Sequence, residues 1–361
     1  MESCLKRQQR LFLFKVSRAE KHEQFMRAAL REARKGLGRT SPNPAVGAVL
    51  VAGDQIIARG HHRKAGGPHA EVECLSHFGD VPPAEATLYL TLEPCSTLGR
   101  TGACTEKIIQ AGIKAVVIGA IDVNPRHQGR AVKILQEAGV EVRLGILADE
   151  CAALNEAFNK WITTGRPFVI AKCGMSLDGR LTRPPGETRW ITGPAARRHA
   201  HALRAQVDAI IVGAETVRAD NPRLTLRGVR GVKQPWRVIL TRSGKLSPRV
   251  RLFRDRFAER TLVYRRRRLG SVLDDLGRKN ITSVLIEGGG EILGQALDGA
   301  LIDKVQVYLG PIMTGGPVVA FAGRGGADTR HAAHLGRVSY TRLADNVCVI
   351  GYPKFPSNAG E

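Results

Sequence analysis

The chain lacks any apolar run of the roughly 18 residues that a membrane-spanning helix needs, so no such helix is expected. It also lacks a cysteine framework. Its seven cysteines are odd in number and irregularly spaced, which excludes a small disulfide scaffold and suits a reducing cytoplasm. No complete G-x-G-x-x-G is followed by an acidic residue about 20 positions on, so an ordinary dinucleotide-binding doubly wound domain is not indicated. No internal repeat or low-complexity tract is visible. Acidic residues are scarce: 33 Asp and Glu stand against 55 Lys and Arg, for a net charge of +22. The shortage is uneven. Through Thr164, 22 basic residues face 17 acidic ones; beyond it, 33 face 16. Such a balance suits nucleic acid, polyanionic small molecules or simply a basic surface. The densest run, Arg265 to Arg268, has only Tyr264 as an aromatic neighbour and reads as a solvated face.

What is present begins with length. The 361 residues predict two domains, each able to bury a core. The most informative stretch runs from His69 to Cys104. It opens His69-Ala70-Glu71, passes through an apolar strand to Pro94-Cys95, and closes at Cys104 before a helical pattern. The stretch resembles the zinc-deaminase signature, and His69, Cys95 and Cys104 would then make a three-ligand set that leaves one tetrahedral position of a zinc ion open for water. The metal lowers the pKa of that water from 15.7 to about 7. Glu71, two residues from His69, is placed to carry protons rather than to ligate.

The rest of the chain divides into strands and helices. Met1 to Arg18 is basic, and its apolar patch Leu11 to Phe14 is too short for a signal peptide. Apolar spacing predicts a helix over His22–Lys35, and Gly53-Asp54 a hairpin between strands Ala45–Val51 and Gln55–Arg59. Helices are expected over Ala70–His77, Thr105–Ala111, Ala131–Ala138 and Ala148–Trp161, and strands over Thr87–Leu92, Lys114–Gly119 and Glu141–Leu144. Gly165-Arg166-Pro167 marks the domain boundary. Beyond it come strands Phe168–Lys172, Arg237–Leu240, Ser283–Ile286 and Lys304–Leu309. Gly288-Gly289-Gly290 follows Glu287 and precedes a helix over Glu291–Leu297. A strand, glycines and a helix N-terminus allow backbone N–H groups to approach a pyrophosphate.

Several of these stretches occur together in one known family. Eight residues separate Cys95 from Cys104, where most zinc deaminases have two. This spacing, with Ser41-Pro42-Asn43-Pro44, Gly66-Gly67-Pro68-His69-Ala70-Glu71, Thr91-Leu92-Glu93-Pro94-Cys95, Ser176-Leu177-Asp178-Gly179, Gly186 to Gly193 and Asp208 to Leu226, resembles the bifunctional riboflavin-biosynthesis deaminase/reductase family. The resemblance covers nearly all of Glu23 to Tyr352. Local departures are Thr97-Leu98, where the family commonly has two histidines, Gly102-Ala103, where it has two prolines, and Asn221, where it usually has aspartate.

The resemblance implies a flexible extension over 1–20, a cytidine-deaminase-like αβα sandwich over 21–164, and a dihydrofolate-reductase-like α/β domain over 165–355. It implies one zinc per chain and NADPH, a phosphorylated pyrimidine substrate, and room for a homo-oligomer. The first domain would hydrolyse the 2-amino group of 2,5-diamino-6-ribosylamino-4(3H)-pyrimidinone 5′-phosphate, and the second would reduce the ribosyl unit to ribityl. Substrate contacts carried over are Asn43, Lys172, Thr188, Arg204, Leu224, Arg227 and Glu287, with Arg204 and Arg227 able to clamp a phosphate. Lys172, Asp220 and Glu287 are the ionisable candidates around the reduction. Cofactor contacts carried over are Gly174, Trp190, Thr216, Asp220 and the segment Gly289, Gly290, Glu291, Ile292, Leu293, Gly294 and Gln295. Arg242, at the end of the Arg237–Leu240 strand, is expected at the adenosine 2′-phosphate. The rival reading is a transfer-RNA-type zinc deaminase with a basic targeting domain. The charge favours it, and the motifs of the second half argue against a nucleic-acid partner.

Overall fold

Period-two alternation along the central strands sends their side chains into two opposite cores in each half of the protein. The computed structural model describes residues 17–79, 81–97, 102–182, 190–228, 232–326 and 328–356. Most of the expected extension, together with Leu98 and the Gly186–Arg189 motif that holds Thr188, lies outside them.

The first half runs α1 (Arg18–Arg34), β1 (Gly47–Ala52), β2 (Gln55–His61), α2 (Ala70–Phe78), β3 (Thr87–Leu92), α3 (Cys104–Gln110), β4 (Ala115–Ala120), α4 (Arg130–Glu137), β5 (Glu141–Leu144), α5 (Ala148–Leu154) and α6 (Glu156–Thr164). Its sheet has the order β2-β1-β3-β4-β5. β1 is antiparallel to both neighbours, and β3, β4 and β5 are parallel. On one face Val49, Val51, Tyr89 and Val117 meet Met26 and Leu30 of α1 and Cys151 of α5. On the other, Leu50, Leu88, Leu90 and Ile118 meet Cys74 of α2, Ile108 of α3 and Leu135 of α4. This is the expected αβα sandwich.

The second half runs β6 (Phe168–Met175), α7 (Pro194–Leu203), β7 (Ala209–Gly213), α8 (Ala214–Asp220), β8 (Trp236–Thr241), α9 (Arg251–Arg254), β9 (Thr261–Arg265), α10 (Leu269–Arg278), β10 (Ser283–Ile286), α11 (Gly290–Asp298), β11 (Lys304–Leu309), β12 (His334–Leu343) and β13 (Asn346–Lys354). Eight strands form one sheet, β12-β13-β11-β6-β10-β7-β8-β9. β11, β6, β10, β7, β8 and β9 are parallel, and the β12–β13 hairpin is added antiparallel. Val169, Ala171, Ile211, Val238 and Ile286 pack under α10 and α11. Phe168, Ile170, Ile210, Ile239 and Leu285 pack under α7, α8 and α9. No helix among the described residues is long and apolar enough to cross a membrane.

One expectation fails. The single helix read over Ala148–Trp161 is two helices, α5 and α6, broken at Asn155 (φ −112°, ψ 23°). The cause lies far away in sequence. The buried Asn155 amide accepts from Ala45 N at 2.8 Å and donates to Ala45 O at 3.0 Å, which fixes its backbone out of helical register. The break turns α6 onto the second sheet. Ala157 packs there against the core, Lys160 pairs with Asp303 at 2.5 Å, and Trp161 Nε1 donates to Gly277 O at 3.0 Å. Glu156 accepts from Lys304 at 2.6 Å and from the Tyr352 hydroxyl at 2.7 Å. Elsewhere the halves meet at backbone level: a Cβ on Gly38 would fall 1.8 Å from Ala205 O.

Two glycines set how closely helices approach the first sheet. A Cβ on Gly47 would lie 2.1 Å from Ala29 O of α1, and one on Gly60 would lie 2.3 Å from Cys74 N of α2. Both obstacles are backbone, so the helix itself would have to move. Because α2 follows His69 and carries Glu71, Gly60→Ala is expected to destabilise the protein by about 1–3 kcal/mol and to weaken its hold on metal. Thermal unfolding with and without a chelator checks this.

Candidate functional site

Three side chains converge where two helices begin. His69 is the N-cap residue of α2, with extended backbone (φ −75°, ψ 165°). Cys104 is the first residue of α3. Cys95 stands in the segment after β3. His69 Nδ1 lies 3.2 Å from Cys104 Sγ and 3.6 Å from Cys95 Sγ, and the three donor atoms all lie within 4.8 Å of one another. Neither helix has a side-chain cap, and Cys104 N donates to Cys95 Sγ at 3.3 Å instead. The Cys104 thiol, the His69 ring and this N–H hold the Cys95 thiol down to about 4 against its burial. In return the Cys104 thiol is pushed far up, by Cys95 and by burial. The set therefore offers two sulfurs and one imidazole at helix N-termini, the donor chemistry and clustering of a three-ligand zinc site.

Glu71 is buried beside these donors, and burial pushes its carboxyl up. A neighbour that sequence reasoning missed is His62. It is buried, its ring stands edge-on to that of His69 with centroids 5.2 Å apart, and Nδ1 donates to Pro68 O at 2.9 Å. That bond leaves Nε2 as an acceptor, and the Asn43 amide lies 3.2 Å from it. Burial holds the His62 pKa down, as this neutral tautomer requires. Nothing in local periodicity singles out His62, because it sits just past β2.

Glu93 anchors the third ligand. Its buried carboxylate accepts from Asp122 N at 3.2 Å, Gly129 N at 3.0 Å and Ala131 N at 3.0 Å. These bonds tie the start of α4 to the segment carrying Cys95.

The second sheet brings together some of its expected residues. Arg204 donates to Glu287 from Nε at 2.7 Å and from Nη2 at 2.5 Å. Burial raises the Glu287 carboxyl, but Arg204, with Lys172 and His201 beyond it, leaves it below its ordinary value. The Arg204 fork is thus occupied by a carboxylate. Arg227 is exposed, and its backbone N donates to His201 Nε2 at 3.0 Å. Lys172 Nζ lies 5.8 Å from the centre of the Tyr308 ring. Leu224 is buried with φ 50°, a strained backbone for a branched side chain.

Among the expected cofactor contacts, Gly288 and Gly289 face Thr216: their Cβ positions would lie 3.2 and 3.4 Å from its Oγ1. Gly289 has φ 65°, and α11 has no side-chain cap. Gly290 and Gly294 do different work, since their Cβ atoms would strike the backbone at Val319 and Ala322. Ile292 and Leu293 point into the core, and their backbone N–H groups donate to Gly289 O at 3.1 and 3.2 Å, so neither side chain faces a ligand. Gly174, in β6, has Thr192 Cγ2 3.4 Å from its Cβ position. Trp190 is exposed with the Arg197 guanidinium 4.7 Å over its ring, and Asp220 is exposed at the end of α8. Gln295 is exposed on α11. Arg242 follows β8, is largely exposed, and pairs with Glu291 of α11. The cradle of Gly288, Gly289 and Thr216 at an uncapped helix start fits a pyrophosphate.

Comparison with known proteins agrees with both halves. Residues 167–349 match the family model described as RibD C-terminal domain, and residues 19–120 match the cytidine and deoxycytidylate deaminase zinc-binding region. The chain is 40% identical over 314 residues to the riboflavin biosynthesis protein RibD of Synechocystis sp., covering 81% of this chain and 84% of that one. It is 36% identical over 358 residues to the protein of that name from Bacillus amyloliquefaciens, covering 92% and 96%. Among solved structures, Acinetobacter baumannii RibD, form 1, superposes with a TM-score of 0.85 at 35% identity, over 93% of this chain and 99% of that one. A diaminohydroxyphosphoribosylaminopyrimidine deaminase/5-amino-6-(5-phosphoribosylamino)uracil reductase from Thermotoga maritima does so with a TM-score of 0.84 at 35% identity, over 94% and 100%.

The donor set generates a metal prediction. Purified protein should carry about one zinc per chain. Cys104→Ala should lose most of it, whereas Cys74→Ala, which changes a buried thiol outside the cluster, should keep it. Elemental analysis after desalting distinguishes the two outcomes.

Proposed function

The chain belongs to the RibD family, a deaminase domain followed by a reductase domain in riboflavin biosynthesis, and from that footing we propose which residues perform the two reactions and on what. The substrate of the first is the diaminopyrimidinone bearing a ribosyl 5′-phosphate. Water replaces its 2-amino group, ammonia leaves, and a uracil remains. The second reaction reduces the ribosyl unit to ribityl with hydride from NADPH. The observation that carries this reading is the pairing, on one chain, of the His69, Cys95 and Cys104 cluster beside buried Glu71 with the Arg204–Glu287 pair beside a glycine turn.

In the first site His69, Cys95 and Cys104 hold the zinc, which when bound supplies an acidified water and polarises the ring. Glu71 takes a proton from the attacking water and delivers it to the departing amine, a transfer that its burial beside the metal donors favours. Asn43, held by His62, orients the ribosyl side of the substrate. We assign residues 21–164 to this unit and 165–355 to the reductase, with α6 as the strap between them.

In the second site Gly288, Gly289 and Thr216 receive the pyrophosphate, and NADPH when bound supplies the hydride. Arg227 meets the substrate phosphate. Arg204 holds Glu287 ionised beside Lys172, which leaves Lys172 as the proton donor nearest a reduced sugar oxygen. The basic charge does not require a nucleic acid substrate.

Two outcomes test this reading. Glu71→Gln should keep its zinc, lose at least about 100-fold in ammonia release, and leave NADPH oxidation with pre-deaminated substrate unchanged. Wild-type ammonia release in that variant would end the mechanism. For the cofactor, Arg242→Ala should raise the KM for NADPH and narrow the NADPH/NADH preference by roughly tenfold, the value of a charge-assisted contact. Glu291→Ala removes the pairing partner and should leave the preference in place. An unchanged ratio for Arg242→Ala would put the 2′-phosphate elsewhere.

A further inference from the structure

The excess charge of this chain is concentrated in one segment. From Arg218 to Arg268 the sequence holds seventeen Lys and Arg against three Asp and Glu, most of the net +22. The described residues of this segment, which leave out 229–231, include the end of α8, β8, α9 and β9, at the edge of the second sheet.

Within it lies a cleft of 460 Å³, lined by the 223–227 loop on one side and residues 251–257 on the other. Its size is that of a small-molecule site. Its walls are built around a buried cation. Arg237, 1% exposed, donates to Asp255 at 2.6 Å, Leu252 O at 2.9 Å, Phe257 O at 2.6 Å and Arg223 O at 3.4 Å. One guanidinium thus ties both walls together. It also occupies the one carboxylate that lines the cleft. Arg223, Arg227, Arg251, Arg254 and Arg256 remain, all exposed, and none has an ion pair among the described residues. Arg204, His201 and Glu287 do not line it, and of the residues proposed for the reductase site only Arg227 does.

Five guanidinium groups line this one space, and like charges repel over a Debye length of about 8–10 Å in ordinary salt. A ligand with adjacent negative groups relieves that repulsion. Guanidinium forks match phosphate oxygens in pairs, and arginines on two walls suit at least two phosphates better than one. A nucleic acid strand fits less well. Single strands need open aromatic platforms, and Phe257 is covered by the Arg256 guanidinium at 4.8 Å. We propose that this cleft binds a small molecule carrying two or more linked phosphates, of the pyrophosphate or nucleoside polyphosphate class, at a site that adjoins the proposed reductase site and shares only Arg227 with it.

The test is calorimetric titration of the full-length, zinc-loaded protein with inorganic tripolyphosphate while NADP⁺ is kept saturating. One saturable equivalent is expected. Arg251→Glu with Arg254→Glu should raise its Kd about tenfold or more, and the neutral pair Arg251→Gln with Arg254→Gln should do so to a lesser degree. Arg267→Glu with Arg268→Glu makes the same charge change outside the cleft and should shift Kd by no more than about twofold. Ammonia release should be unchanged in all of them, which shows that each is folded and that the outcome does not depend on the reductase assignment. Absence of saturable binding, or equal weakening by both Glu pairs, would overturn the proposal. So would binding of a short single-stranded RNA that tripolyphosphate fails to displace, which would make the surface a nucleic-acid one.

Discussion

The arrangement depends on open helix N-termini. A helix begins with backbone N–H groups that have no partner within it, and those groups seek negative charge. α1, which only packs, satisfies its own through the Ser17 and Glu20 capping box. The helices α2 to α11 all lack a side-chain cap, and four of them, α2, α3, α8 and α11, start beside a proposed site. In the first half the need is met by sulfur: Cys104 N points at Cys95 Sγ. In the second it is left to the glycine turn that we propose receives phosphate. The parallel strands aim these starts at one edge of each sheet, as open α/β sheets generally do.

Much of this was visible in the sequence because it is local. Strands Thr87–Leu92, Glu141–Leu144, Ser283–Ile286 and Lys304–Leu309 are bounded in the structure as alternation and turn residues indicated. The zinc cluster was readable because His69, Cys95 and Cys104 sit at element boundaries that the pattern already placed. What escaped was set by bonds across the fold. Asn155 breaks a helix because Ala45, 110 residues earlier, takes its amide. His62 matters because a turn folds Asn43 back onto it. The Arg204 fork was read as free for phosphate because no sequence pattern shows that Glu287, 83 residues on, will fill it. Charge counts showed how much basicity there was; only the folded walls around Arg237 showed that it is gathered.

Rigidity in the first unit comes from backbone laid directly on backbone. Gly47 and Gly60 let α1 and α2 touch β1 and β2 with no side chain between, so the ligand-bearing helix has a fixed height above its sheet. Glu93 performs the same service for Cys95 through three N–H donors. A proton carrier beside a metal must be positioned within a fraction of an ångström, and these contacts leave few soft degrees of freedom.

The break at Asn155 has a meaning for how the chain divides into modules. α6 belongs in order to the first unit, yet it covers the second sheet and supplies partners for Asp303, Lys304 and Tyr352. A reductase cut free at the Gly165 turn would bare an apolar strip and strand Asp303 beside a water-exposed seam. A reductase cut free just ahead of Glu156 would carry its own cover. The seam along which this protein can be taken apart therefore runs one helix upstream of the turn that looks like the hinge.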